Sequence, residues 1–326
     1  MTVRALIIAP TYDDKQSWPP LIYTKKDADG FKELLVEVLE VSPTDIKLLD
    51  ASYSGNPLNG GSISVPDIDN ILQSASAIIN DLQDGDTFIF FFSGHGLEIE
   101  GIKLIPQYCL RSNVRRTAFD LENDLLKPMH ESKKDISTLF IIDACRCIEG
   151  IKGITTVSTT LPELLKNNRI TGLLACSRGE TSKEIRDFEN GVFTYFLIES
   201  IKELKESNDL TINNLYDVVR KKVNAYTGKT QNPELILEGK NPLEFLSVYQ
   251  MTNNEKISHV LETHPDGLTD KQMQELLKMN GNSQRPGRKS LEKRGIIISE
   301  SKLEGEKLWK LSKYSTEPKQ PNMYDY

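Results

Sequence analysis

Thr87-Phe88-Ile89-Phe90-Phe91-Phe92-Ser93-Gly94-His95-Gly96 contains the most strand-like run of the sequence. Aromatic and β-branched residues fill its first six positions, the composition of a strand covered on both faces. Gln83-Asp84-Gly85-Asp86 turns the chain into it, and small residues around one histidine end it. Leu139-Phe140-Ile141-Ile142 is a second such run, and it stops at Asp143-Ala144-Cys145.

Working outward, Arg4–Ala9 and Ile46–Leu49 read as further strands. Phe31, Leu34, Leu35, Val38 and Leu39 form one face of a helix headed by Asp27-Ala28-Asp29-Gly30. Pro66 and Asp67 open another, whose apolar positions from Ile68 to Leu82 keep a 3.6-residue period. A hairpin is predicted at Glu98–Ile105 and a helix at Leu121–Glu131. A short helix at Leu161–Asn167, a strand at Thr171–Cys176, helices at Phe193–Glu206 and Thr211–Tyr226, and an edge strand at Leu243–Val248 follow. Strands alternating with helices predict an α/β fold with a mostly parallel sheet covered on both faces.

The chain has 326 residues, 40 Lys+Arg, 47 Asp+Glu, four cysteines and four histidines. So few cysteines exclude a disulfide-built secreted module, and their spacing fits no zinc site. The apolar runs fall far short of the ~20 residues that cross a bilayer, so no membrane partner is expected. Met1–Pro10 reads as a first strand and not a signal peptide, which predicts a cytoplasmic protein with reduced thiols. No nucleotide-binding loop is present.

Composition shifts at Met251. Residues 1–250 hold 27 Lys+Arg and 36 Asp+Glu, a balance of −9; residues 251–315 hold 12 and 9, a balance of +3. That predicts one domain over 1–250, a second over 251–315 and a disordered tail over 316–326. Helices at Asn254–Glu262, Asp270–Met279 and Arg288–Arg294, then β-like runs at Ile296–Ser299 and Lys307–Leu311, resemble a winged helix-turn-helix. Arg285, Arg288, Lys289 and Lys293 would then lie on or beside a recognition helix, where DNA would be met.

The reactive side chains fall where α/β sheets bind ligands, outside the carboxyl ends of strands. His95 and Cys145 at neighbouring strand ends make a thiol–imidazole dyad: imidazole favours the thiolate nucleophile and then protonates a leaving amine.

This set of residues resembles the caspase-like clan of cysteine peptidases, in its metacaspase and bacterial caspase-like branch. The resemblance rests on Ala5–Ala9, the Asp27-Ala28 pair, Ser93-Gly94-His95-Gly96, Asp143-Ala144-Cys145, Ala175-Cys176-Ser177 with Gly179-Glu180, Gly191-Val192-Phe193-Thr194 and Gln231-Asn232-Pro233. It covers about residues 1–250. Arg146-Cys147-Ile148 departs from the small run that follows the cysteine in many relatives.

The resemblance implies Cys145 as nucleophile, His95 as general base and acid, and the backbone N–H groups of Gly96 and Cys145 as oxyanion donors. It implies that Asp143 and Asp27 form a pocket for Arg or Lys before the scissile bond, and hence a protein substrate with a basic cleavage site; Ser93 and Ser177, at strand ends, are candidates to line that pocket. Asp143 lies two residues before Cys145, so an unbroken strand projects both from one face. A regulatory partner or ligand, and a place in bacterial defence or cell death, are also implied. No cofactor is expected; calcium, which activates some metacaspases, is left unassigned, because Glu98, Glu100 and Asp124 follow no calcium-loop pattern. The alternative reading is a catalytically silent caspase-like scaffold that regulates DNA through the winged helix.

Overall fold

The computed structural model describes residues 2–12, 18–50, 53–54, 62–63, 65–98, 102–145, 161–167, 170–207, 209–237, 243, 253–277, 286, 288–289, 291–293, 296–301 and 307–312. Arg285, Arg146, Cys147, Glu100 and the tail from Thr316 lie outside them. The chain divides into two compact units, Met1–Leu243 and Glu244–Tyr326.

The first unit is built on β1 (Val3–Ile8), β2 (Ile46–Leu49), β3 (Thr87–Gly94), β7 (Ser137–Ala144), β8 (Thr171–Leu174) and β11 (Glu234–Ile236). They form one sheet in the order β11-β8-β7-β3-β1-β2. All pairs are parallel except β8 with β11. Among the described residues Glu234–Ile236 is the strand beyond β8; of the expected Leu243–Val248 only Leu243 is described, and it is buried. A second sheet of β4 (Gly96–Glu98), β5 (Ile102–Leu104) and β6 (Phe119–Asp120) continues directly from β3. The predicted hairpin is thus present, with a third strand added. The Leu121–Glu131 segment is wound as a π-type turn to Leu126 and a short α-helix from Lys127.

Every residue of β3 and β7 is buried. Side chains alternate between faces along each strand. Phe88, Phe90, Phe92, Phe140 and Ile142 pack in one core with Ile71, Ala75 and Ile79 of α2 (Ile68–Asp81). On the other face Phe91 stacks on Phe31 of α1 (Thr24–Glu33), with ring centroids 4.4 Å apart. Each such side chain contributes about 1.5–3 kcal/mol by leaving water, so the two apolar runs anchor both layers.

The helix ends show how sequence sets these elements. Asp67 caps α2 by accepting from the N–H of Asn70. Thr211 does the same for α5 (Ile212–Thr227) through Asn214, and Gly228, at φ 61°, ends that helix in the left-handed conformation. No side chain of α1's own neighbourhood caps it. Glu184 does so from 160 positions away in rough terms: its Oε1 accepts from the N–H groups of Ile22 and Tyr23, each at 3.1 Å.

The second unit contains α6 (Asn253–Thr263), α7 (Asp270–Leu277) and a three-stranded antiparallel sheet of β12 (Leu268–Thr269), β13 (Ile297–Ser301) and β14 (Lys307–Leu311). Ile257, Leu261, Met273, Leu291, Ile297 and Trp309 form its core. Here the structure corrects one expectation. Arg288, read as a DNA-facing residue, is buried, pairs with Asp270 and lies with its guanidinium 4.5 Å from the centre of the Trp309 ring. Its aliphatic stem and charge are used inside the unit, while Lys289 and Lys293 are exposed.

Candidate active site

Parallel pairing of β3 with β7 sets Ser93 beside Asp143 and Gly94 beside Ala144. His95 and Cys145 are the next residues on each strand, so both leave the same edge of the sheet. With Asp27, Ser93, Asp143 and Gly191 they line one cavity of about 30 Å³.

His95 is held on all sides. Its backbone N–H donates to the Tyr12 hydroxyl at 2.9 Å, and that hydroxyl donates to the Ile105 carbonyl at 2.6 Å. A Cβ on Gly94 would stand 2.7 Å from the same hydroxyl, so glycine is required there by space. The His95 ring packs between Tyr12 and Trp18, with centroids 4.6 and 5.7 Å away. Its Nε2 lies 2.8 Å from the Pro19 carbonyl. A carbonyl only accepts, so Nε2 carries the hydrogen and Nδ1 is the basic nitrogen. Burial pulls the His95 pKa below its ordinary value, against the opposing pull of the Pro19 carbonyl and Glu184. The ring is therefore neutral at neutral pH, as a base must be.

Cys145 is half-buried, and its thiol is directed at the Ser182 carbonyl, 3.8 Å away. Gly96 closes on it from the other strand. A Cβ on Gly96 would stand 3.0 Å from the Cys145 carbonyl oxygen.

Asp27 and Asp143 are both buried, 2% and 5% exposed. Asp27 Oδ2 accepts from Ser93 Oγ at 2.9 Å, and Oδ1 from Asn190 Nδ2 at 3.0 Å and the Gly191 N–H at 2.9 Å. Asp143 Oδ1 accepts from Ser182 Oγ, and Oδ2 from the Thr194 hydroxyl at 2.7 Å and its N–H at 3.2 Å. Every one of these donors is neutral. Burial, and then the charge of Asp143, push Asp27 up to about 8; burial likewise raises Asp143. Burial thus favours the neutral form of both acids.

Of the residues singled out from sequence, the structure brings together His95, Cys145, Gly96, Asp27 and Asp143. Asp27 lies in the first turn of α1, which begins at Thr24, with its carboxylate turned to the pocket. Ser177 lies elsewhere: its hydroxyl donates to the Asn232 carbonyl at 3.1 Å and its N–H to Glu180 Oε2. Of the two serines, it is Ser93 that stands in the pocket. Among the described residues no group of three His, Cys, Asp or Glu is placed to hold a metal. Asp124 accepts the N–H of Asp120 at 2.8 Å, and the Glu98 side chain is outside the description.

Sequence reasoning gave no role to Ser182, Glu184, Gly191, Thr194 or Gln231. Gln231 Nε2 donates to the Ala175 carbonyl at 3.0 Å and to Ser182 Oγ at 3.2 Å, so it orients the hydroxyl that holds Asp143. Gly191, Thr194 and Gln231 do belong to quoted motifs; that was the available signal.

A family model described as the caspase domain matches residues 2–239. The chain belongs to the caspase-domain family. Within it, the chain is 28% identical over 147 residues to a paracaspase of Dictyostelium discoideum, a match covering 45% of this chain and 34% of that relative. It thus spans about a third of that relative's length. The crystal structure of caspase-1 from Spodoptera frugiperda is similar at a TM-score of 0.50 and 16% identity, covering 73% of this chain and 87% of that one. That likeness is one of fold, a caspase-like α/β fold with a mostly parallel central sheet.

Proposed function

We propose that this caspase-domain chain is a cysteine endopeptidase that cleaves after Arg or Lys with Cys145 and His95. One observation supports the specificity: two carboxylates are buried together, beside the dyad, and among the described residues only neutral groups donate hydrogen bonds to them. Buried charge is costly unless it is paired. A cation arriving with the substrate supplies the missing charge, and a planar guanidinium suits paired carboxylates better than an ammonium does.

The chemistry follows from the arrangement. His95 Nδ1 takes the proton of Cys145, and the thiolate adds to the carbonyl carbon of the scissile bond. The oxyanion that forms is held by the N–H groups of Gly96 and Cys145, a reading supported by the close approach of these two residues. The carbon–nitrogen bond breaks as Nδ1–H gives its proton to the leaving amine, and a thioester remains. Water then loses a proton to Nδ1 and adds to the thioester, and collapse returns the thiol with a free carboxylate product. The Pro19 carbonyl holds the ring in the required tautomer throughout.

Control belongs to the proposal too. An endopeptidase inside a cell has to be restrained, and a partner or ligand is the expected means, in a bacterial defence or cell-death setting. The second unit, with its helices and antiparallel three-stranded sheet, supports a winged-helix reading; Lys289 and Lys293 are its exposed candidates for phosphate contact. Failure to retard duplex DNA at low salt rejects that part.

Fluorogenic peptides ending in Arg, Lys or Asp test the main reading. Turnover of the Arg and Lys peptides that disappears in Cys145→Ala is expected. No Cys145-dependent cleavage by pure protein, alone or with cell extract or calcium, rejects the protease; equal turnover of Asp-ended and Arg-ended peptides rejects the pocket.

A further inference from the structure

The segment from Ser182 to Thr194 holds both pocket acids, and Gly191 lies near its C-terminal end. Ser182 and Thr194 donate to Asp143, while Asn190 and Gly191 donate to Asp27. Two short strands, β9 (Glu184–Ile185) and β10 (Asn190–Gly191), pair antiparallel with Glu184 opposite Gly191. Glu184 in turn fixes the start of α1, the helix that carries Asp27. One hairpin therefore sets the positions of two carboxylates that come from different elements.

Gly191 has φ −62° and ψ 138°, values open to any L-residue, so its backbone does not call for glycine. Space does. A Cβ on Gly191 would stand 2.7 Å from Asp143 Oδ2, closer than real side chains approach, and a tight 3.0 Å from Asp27 Oδ2. Both Oδ2 atoms thus reach the place a Cβ would take, near enough to each other for one guanidinium, which donates along two edges, to meet both.

We propose that Gly191 is a positioning residue that determines cation specificity: its missing side chain lets Asp27 and Asp143 converge, and so sets the spacing with which they grip a substrate guanidinium. This rests on reading the pocket as the seat of a substrate cation. Gly191 touches neither reacting atom of the dyad in this role; its effect is confined to binding.

The test uses the full chain and Gly191→Ala, with three readouts: Arg-ended peptide kinetics, benzamidine as a cation probe, and iodoacetamide as a neutral reagent for Cys145. In the variant, KM and the benzamidine inhibition constant should rise together by tenfold or more. The kcat should stay within threefold and the alkylation rate within twofold. An unchanged KM overturns the proposal, as does a fall of kcat and alkylation in step with binding, which a general structural role would produce. Should Gly191→Ala fail to fold, Asp143→Ala and Asp143→Ala/Gly191→Ala replace it, because removing Asp143 Oδ2, the nearer of the two carboxylate oxygens at 2.7 Å, makes room for the methyl. Equal KM values within twofold are then expected, and a further tenfold rise in the double variant overturns the proposal. If the wild type does not cleave after Arg, the protease reading fails separately, and calorimetry with benzamidine decides this one. Tenfold weaker binding to the variant supports it; equal binding, or none to the wild type, overturns it.

Discussion

Ser93 and Asp143 face each other across β3 and β7, each two residues before its member of the His95–Cys145 pair. Side chains repeat every second residue along a strand. The acid pocket and the dyad are therefore consecutive rungs on one face of the sheet, the face covered by α1 and α4 (Val192–Glu206). Ser93 bonds Asp27 on α1, and Thr194 on α4 bonds Asp143.

The dyad predicts a graded loss. Cys145→Ala should leave no detectable cleavage, and His95→Ala should lower kcat/KM by about 10²–10⁴-fold, the usual worth of a positioned base. Active-site titration with a chloromethyl ketone ending in Arg checks both; a His95→Ala enzyme with full activity sinks the base assignment.

The two acids predict a split between substrates. Asp143→Asn should cost about 1.5–3 kcal/mol of transition-state binding for an Arg-ended peptide, roughly ten- to hundredfold in kcat/KM. The rate of Cys145 alkylation by iodoacetamide should move far less. Equal losses in both measurements would show that the carboxylate supports the loop and not the cation.

The raised acids predict how stability varies with pH. Asp27 holds its proton in the folded chain up to about pH 8, whereas in the unfolded chain it releases it near its ordinary value of about 3.9. Between these values the folded protein binds more protons than the unfolded one. The stability this contributes is complete below the unfolded pKa and is lost as pH rises through the folded one. Asp27→Asn should thus gain on the wild type progressively from pH 5 to pH 8 in urea unfolding midpoints. A pH-independent difference contradicts this.

Tyr12 predicts an effect from outside the pocket. Tyr12→Phe deletes the acceptor of the His95 N–H and the donor to Ile105. A buried N–H without a partner costs about 1–3 kcal/mol, so the first unit should melt at a lower temperature and kcat should fall more than KM rises. Unchanged melting would mean that another group takes the hydrogen bond.

In the second unit, Arg288→Ala should destabilise its core by about 1–2 kcal/mol through lost contact with Trp309. Lys289→Ala and Lys293→Ala should leave stability unchanged. Tryptophan fluorescence during denaturation follows the difference.

How much of this was legible beforehand depended on length and regularity. Phe88–Phe92 and Leu139–Ile142 announced buried strands because burial on both faces leaves an unbroken apolar run, and their ends gave His95 and Cys145. Asp143 followed from strand period once β7 proved to extend to Ala144. The pocket's third wall was not legible in the same way. β9 and β10 are two residues each, too short for a period, and Gly191 is glycine because of two carboxylates, one 48 and one 164 positions away in the chain as the Asp143 and Asp27 contacts show. Arg288 failed for a related reason. A basic residue in a basic run reads as solvated until the tertiary structure supplies Asp270 and Trp309.

The pairing register of β3 and β7 also limits how this enzyme can change. Asp143 and Cys145 share a backbone, so their separation is a ruler cut by the covalent chain. Loops can lengthen and helices can tilt without altering it. On the proposed reading, new cleavage preferences come from the residues that shape the pocket, Asp143 on this rung and Asp27 and Gly191 beside it, while the reach from Asp143 to Cys145 stays constant.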